Sequence, residues 1–154
     1  MNTTKILTSR LLPCAVLAAL TAATIYMSIR SSSRMSEIIW IPGWLGQWAD
    51  QNPDLRTSVP FFLLSLICPV AVGTGKQPST NGLNTRWLLA GYAAIAVLLV
   101  TSECSQYFIQ TRFLSIGDIL WGLFGIAAGI CAGLVGWWQG MKLIAVFPKA
   151  RPEY

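Results

Sequence analysis

Residues 118–140 read DILWGLFGIAAGICAGLVGWWQG, and this stretch decides what kind of protein the chain is. Asp118 is its only charge. The rest is apolar, small or amide, over a length that lets a helix rising about 1.5 Å per residue cross a hydrocarbon core of roughly 30 Å. Within it Gly122, Gly125, Gly129, Gly133, Gly136 and Gly140 are spaced 3, 4, 4, 3 and 4 apart, which sets them on one helix face. Two overlapping GxxxG patterns, 125–129 and 129–133, lie in that row. Small residues at such spacing let helix backbones approach closely in lipid, so the row reads as a packing seam. Its partner is a helix of this chain or of another membrane subunit, and spacing alone does not choose between them.

Outward from this segment the same composition recurs. Residues 11–29, 58–73 and 87–108 are further apolar runs of spanning length. Over all 154 residues the chain is 54% hydrophobic and only 11% charged, with mean hydropathy +0.56. Soluble domains carry about a quarter charged residues, so the expected fold is all-α: one transmembrane domain, 1–154, with four membrane-spanning helices. The first run is expected to stay as an uncleaved span, because it exceeds the apolar core of a secretory signal. Thr57 or Ser58 is placed to cap the second, with Pro60 in its first turn and Pro69 set to kink it or end it early. The turn-forming stretch GTGKQPSTNGLN (73–84) reads as a linker. Beyond 140 a tail carries Lys142, Lys149 and Arg151, with Pro148 and Pro152 closing any helix.

Charge sets the expected topology. With four spans, Lys5, Arg10, Lys76, Arg86, Lys142, Lys149 and Arg151 fall on one side, against Arg30, Arg34, Arg56 and Arg112 on the other. The richer side is cytoplasmic by the positive-inside rule, so both termini, the 74–86 linker and the 141–154 tail are expected there. The net charge of +5 is therefore topological. No basic stripe interleaved with stacking aromatics exists, which removes nucleic acid as a partner.

The first outer connection is not simply polar. Trp40, Trp44 and Trp48 recur at i, i+4, i+8, a spacing that stacks three indoles on one face of a helix, although Pro42 and Gly43 would break it into two pieces. Indoles favour the headgroup level, so the segment reads as interfacial; a loop packed over the helix bundle is the other reading.

Four polar residues, Glu103, Gln106, Arg112 and Asp118, lie across the turn between the last two spans. Ionisable groups beside hydrocarbon are costly and point to a site or to a fold-closing ion pair. As a clasp, Arg112 bridges Glu103 and Asp118, its guanidinium engaging both carboxylates, and Gln106 fills the remaining hydrogen bonds. Asp118 suits the start of its helix and is placed to cap it. As a ligand site, the same residues with Asp54 and Arg56 line a shallow outward pocket. The chain has no histidine, and Cys14, Cys68, Cys104 and Cys131 show no metal spacing, so neither a metal nor another cofactor is expected. No nucleophile–base pair or complete phosphate-binding loop is present, so the chain does not read as an enzyme.

The stretch ECSQYFIQTRFLSIGDILWGLFGIAAG (103–129) resembles the VanZ-like family. That family's pattern runs Glu-x-x-Gln, an arginine in the turn, then an aspartate followed by asparagine and spaced glycines. Glu103, Gln106, Arg112, Asp118, Gly125 and Gly129 match it, while Gly122 stands at the asparagine. Asp54 with PFFLLSL (60–66) resembles the family's other motif, with Arg56 as the nearest base and Ser58 where histidine is usual. The resemblance implies a small multi-span protein of the bacterial cytoplasmic membrane, in a family whose founding member is linked to teicoplanin resistance. An activity at the outer face on a cell-envelope or glycopeptide-related component follows as one expectation. Apart from the resemblance, the glycine seam, the aromatic-rich outer loop and the absence of histidine lead to another expectation, an auxiliary subunit that packs against a larger respiratory or photosynthetic membrane complex. Membrane lipids are partners in both.

Overall fold

In the computed structural model the described residues are 3–30, 32, 34–73, 85–108 and 115–146. They form five helices: α1 (Thr3–Ile29), α2 (Gly43–Gln51), α3 (Pro53–Gly73), α4 (Thr85–Gln106) and α5 (Ile116–Val146). Among the described residues there is no strand. All but α2 contain a stretch long and apolar enough to cross a membrane. The chain is thus an all-α, multi-pass membrane protein. The linker at 74–84 and the tail from 147 lie outside the described residues.

α3 is the hub and touches each of the other four helices, most extensively α5. Glycine explains that intimacy. A Cβ added at Gly125 would collide with the Ser58 carbonyl oxygen, and one at Gly129 with the Phe62 carbonyl oxygen and the Ser65 side chain. At Gly133 the neighbours are the Leu66 carbonyl and the Pro69 ring, each 3.2 Å from where a Cβ would stand. The α3 backbone therefore lies directly on this glycine row, with no side chain of α5 between them. Gly122 turns to α4 instead, facing the Leu99 side chain, and Gly136 has nothing within 4 Å. Gly91 of α4 makes room for the Cys68 thiol of α3. Between these contacts sits a core of Phe61, Leu64, Cys68, Leu88, Ile95, Leu99 and Ile126.

Several element ends differ from expectation. α3 begins at Pro53, ahead of the expected Ser58, because proline at the first helical position loses no needed N–H and arrives with its φ preset. Asn52 leaves the helical region (φ −125°, ψ 68°), which proline disfavours for the residue before it, and ends α2 by donating its backbone N–H to the Trp48 carbonyl. Thr57 and Ser58 are thus helix-interior residues, not caps; their hydroxyls donate to the carbonyls of Pro53 at 3.4 Å and Leu55 at 3.3 Å. The helix runs through Pro69 to Gly73. Pro69 is fully buried with its ring against Gly133, so the space it needs comes from the facing glycine. α5 starts at Ile116, and the Ser115 hydroxyl accepts the Asp118 N–H at 3.3 Å. Ser115 is the capping residue; Asp118 sits inside the first turn.

The Trp-rich segment does divide at Pro42. The Pro42 carbonyl accepts the N–H groups of Leu45 (2.9 Å) and Gly46 (3.0 Å), which starts α2. Trp44 and Trp48 share α2, while Trp40 precedes it on a turn and packs its ring 6.4 Å from that of Tyr26 on α1. The three indoles do not share one continuous helix.

Candidate functional site

The ends of α1, α3, α4 and α5, together with Met35, Trp40, Ile41 and Leu45, line a half-open cavity of about 660 Å³. This lies within the range of about 300–1,000 Å³ usual for small-molecule sites. Arg56, Glu103, Gln106 and Asp118 all line it. Glu103 is the most enclosed of them, 4% exposed, and its carboxylate accepts a hydrogen bond from Gln106 Nε2 at 3.1 Å. Residues three apart on a helix share a face, and here that spacing fixes the Glu103–Gln106 pair. Asp54, by contrast, is exposed in the first turn of α3 and does not line the cavity. Arg112 lies outside the described residues.

Sequence reasoning missed part of the lining. Arg30 and Ser32, just past α1, contribute to the same wall as Arg56. Thr24, Ser28 and Ser102 also face in. Each hydroxyl donates to its own helix, to Leu20 (2.8 Å), Thr24 (2.9 Å) and Leu99 (2.8 Å) carbonyls, so what it offers the cavity is an acceptor oxygen. Hydroxyls at i to i+4 spacing on one apolar helix, as at 24 and 28, were the available signal. Nothing local in the sequence links Arg30 to Arg56.

The deeper wall is apolar: Leu20, Ala23, Met27, Phe61 and Leu63. Trp40, Ile41 and Leu45 bound it from the connection between α1 and α3, whereas Trp44 and Trp48 do not. The cavity is amphipathic, with arginines from the α1 and α3 side and carboxyl groups from α4 and α5. Such a site can hold a molecule with a charged end and an apolar body.

A second polar device fixes the connection between α1 and α3. Asp50 on α2 accepts hydrogen bonds from the Met35 N–H (2.6 Å), the Ser36 N–H (3.1 Å) and the Ser36 hydroxyl (2.6 Å). Arg56 Nη1 lies 3.9 Å from it. Desolvation pushes the Asp50 carboxyl upward, but the Ser36 hydroxyl, the two backbone N–H groups and the Arg56 charge outweigh it and hold its pKa below the usual 3.8. Gly46 lets α2 settle on this turn, since a Cβ there would stand 2.7 Å from Ser36 Cα. Arg56 therefore serves both the cavity and the tether.

Among the described residues no group of histidine, cysteine, aspartate and glutamate is arranged to hold a metal ion. A scan against protein-family models and searches of curated proteins and of solved structures found no match to this chain.

Proposed function

We propose that the chain is a VanZ-like protein of the bacterial cytoplasmic membrane that binds a cell-envelope component in this cavity, at the outer face. One observation carries the reading: Glu103, Gln106 and Asp118, the residues of the family-like pattern, converge with Arg56 on a single amphipathic cavity. The charge bias of the connections supports an outward opening. The role is binding rather than bond-making, since the wall offers carboxyl, guanidinium and hydroxyl groups without an activated nucleophile.

The test uses a bacterial host expressing the chain, with teicoplanin susceptibility and protein abundance read together. Wild-type protein should lower susceptibility. Glu103→Gln, and Leu63→Trp filling the cavity floor, should each remove the protection at unchanged abundance. Full protection by both variants would overturn the reading. Stoichiometric recovery of another membrane protein in mild detergent, with no effect on susceptibility, would favour the auxiliary-subunit role.

A further inference from the structure

We infer that the cavity's occupant is a membrane lipid with a phosphate headgroup, its phosphate held by Arg30 and Arg56 and its acyl chain lying on the α1–α3 wall. The inference rests on the cavity being a ligand site, and three observations lead to it.

First, polarity is graded along α1. Arg30 and Ser32 mark the outer rim, Ser28 and Thr24 follow, and Ala23 and Leu20 form the floor. Ten residues separate Arg30 from Leu20, about 15 Å at roughly 1.5 Å per residue, which is one leaflet of a core of roughly 30 Å. α3 repeats the gradient from Arg56 and Thr57 down to Phe61 and Leu63. The site thus has a head end and a tail end at the depths a lipid has them.

Second, the head end suits phosphate. Guanidinium groups present planar donors that match phosphate oxygens, and both Arg30 and Arg56 line this cavity. The carboxyl groups of Glu103 and Asp118 come from α4 and α5, which directs an anion to the α1–α3 side. Trp40, 66% exposed and packed near Tyr26, sets the rim at the level that indoles prefer.

Third, the wall that a lipid must pass is the loosest. Only 6% of the α1 span is buried in the protein, against 33%, 33% and 28% for the other three spans. A lipid can therefore enter sideways past α1 without crossing water.

Purified full-length protein in detergent is titrated with short-chain phosphatidylglycerol, with monoacylglycerol of the same chain length, and with inorganic phosphate. Binding is read by native mass spectrometry and by thermal shift. Phosphatidylglycerol should bind, monoacylglycerol should bind at least about tenfold more weakly, and inorganic phosphate should not compete at comparable concentration. Arg30→Gln should weaken the phosphatidylglycerol complex about tenfold. Asp50→Asn, which removes the tether but leaves both arginines, should bind like wild type. Arg56→Gln should weaken the complex about tenfold as well, and the Asp50 control separates loss of Arg56's charge from loss of its structural contact.

Equal binding of monoacylglycerol would overturn phosphate recognition. Equal competition by inorganic phosphate would overturn the lipid in favour of a free anion. If wild type binds none of the probes while teicoplanin protection still requires Glu103, the lipid inference falls and the cavity reading stands. If lipid binds but the Glu103 and Leu63 variants still protect, the lipid site stands and the proposed function falls.

Discussion

Asp50 gathers two backbone N–H groups, a hydroxyl and a guanidinium, and their net effect is a lowered carboxyl pKa. A group whose pKa is depressed on folding stabilises the fold above its unfolded value and loses that contribution as pH falls through the folded value. The tether between α2 and the 35–36 turn should therefore be complete at neutral pH and weaken as pH drops below 3.8. Tryptophan emission followed against pH should report an acid transition that Asp50→Asn lacks; identical titrations of the two proteins would contradict the tether. Glu103 gives a second forecast at this scale. Removing one partner of a buried hydrogen bond costs about 1–3 kcal/mol, so Glu103→Leu should lower the thermal midpoint in detergent more than Glu103→Gln, whose amide oxygen still accepts from Gln106. Glu103 and Gln106 were legible in the sequence because helix periodicity pairs them. Asp50 was not, since its main partners are backbone N–H groups that look the same at every residue. Arg30 was missed for another reason: only the folding of α1 against α3 makes it line the same cavity as Arg56.

The glycine row of α5 separates positions that sequence treats alike. Gly125 lies against the Ser58 carbonyl, and Gly136 faces open space. Overpacking a tight contact costs about 1–3 kcal/mol, whereas alanine is favoured over glycine in an open helix by roughly 0.5–1 kcal/mol. Gly125→Ala should lower the thermal midpoint and Gly136→Ala should leave it unchanged or raise it; the opposite order would refute the packing described. The four spans themselves were legible because continuous apolar length is a one-dimensional property. Their ends were harder to read. Pro53, Ser115 and the passage through Pro69 depend on which residue takes the first helical position and on what faces the proline ring, and Gly133 supplies that face only in three dimensions.

At the scale of the whole molecule, four crossings predict both termini on one side and the α2 connection on the other. The lysine and arginine bias predicts that the termini face the cytoplasm. A membrane-impermeant maleimide added to intact cells should label a cysteine placed at Gln47 in a background free of the native cysteines, and a fluorescent protein fused after Tyr154 should be bright; the reverse pair of results would invert the topology. The low burial of α1 also bears on biogenesis. Spans that insert independently associate afterwards, and the close α3–α5 seam rewards early association. α1 is then the last piece to dock, although it supplies Leu20, Thr24, Ser28 and the adjoining Arg30 to the cavity. A gene split within 74–84 would separate α1–α3 from α4–α5 and break the tight seam. A split at residue 33 would leave that seam whole, and adding the α1 fragment back should restore the cavity. Competence to bind would then mark completed assembly: the chamber is finished by the span with the smallest buried share.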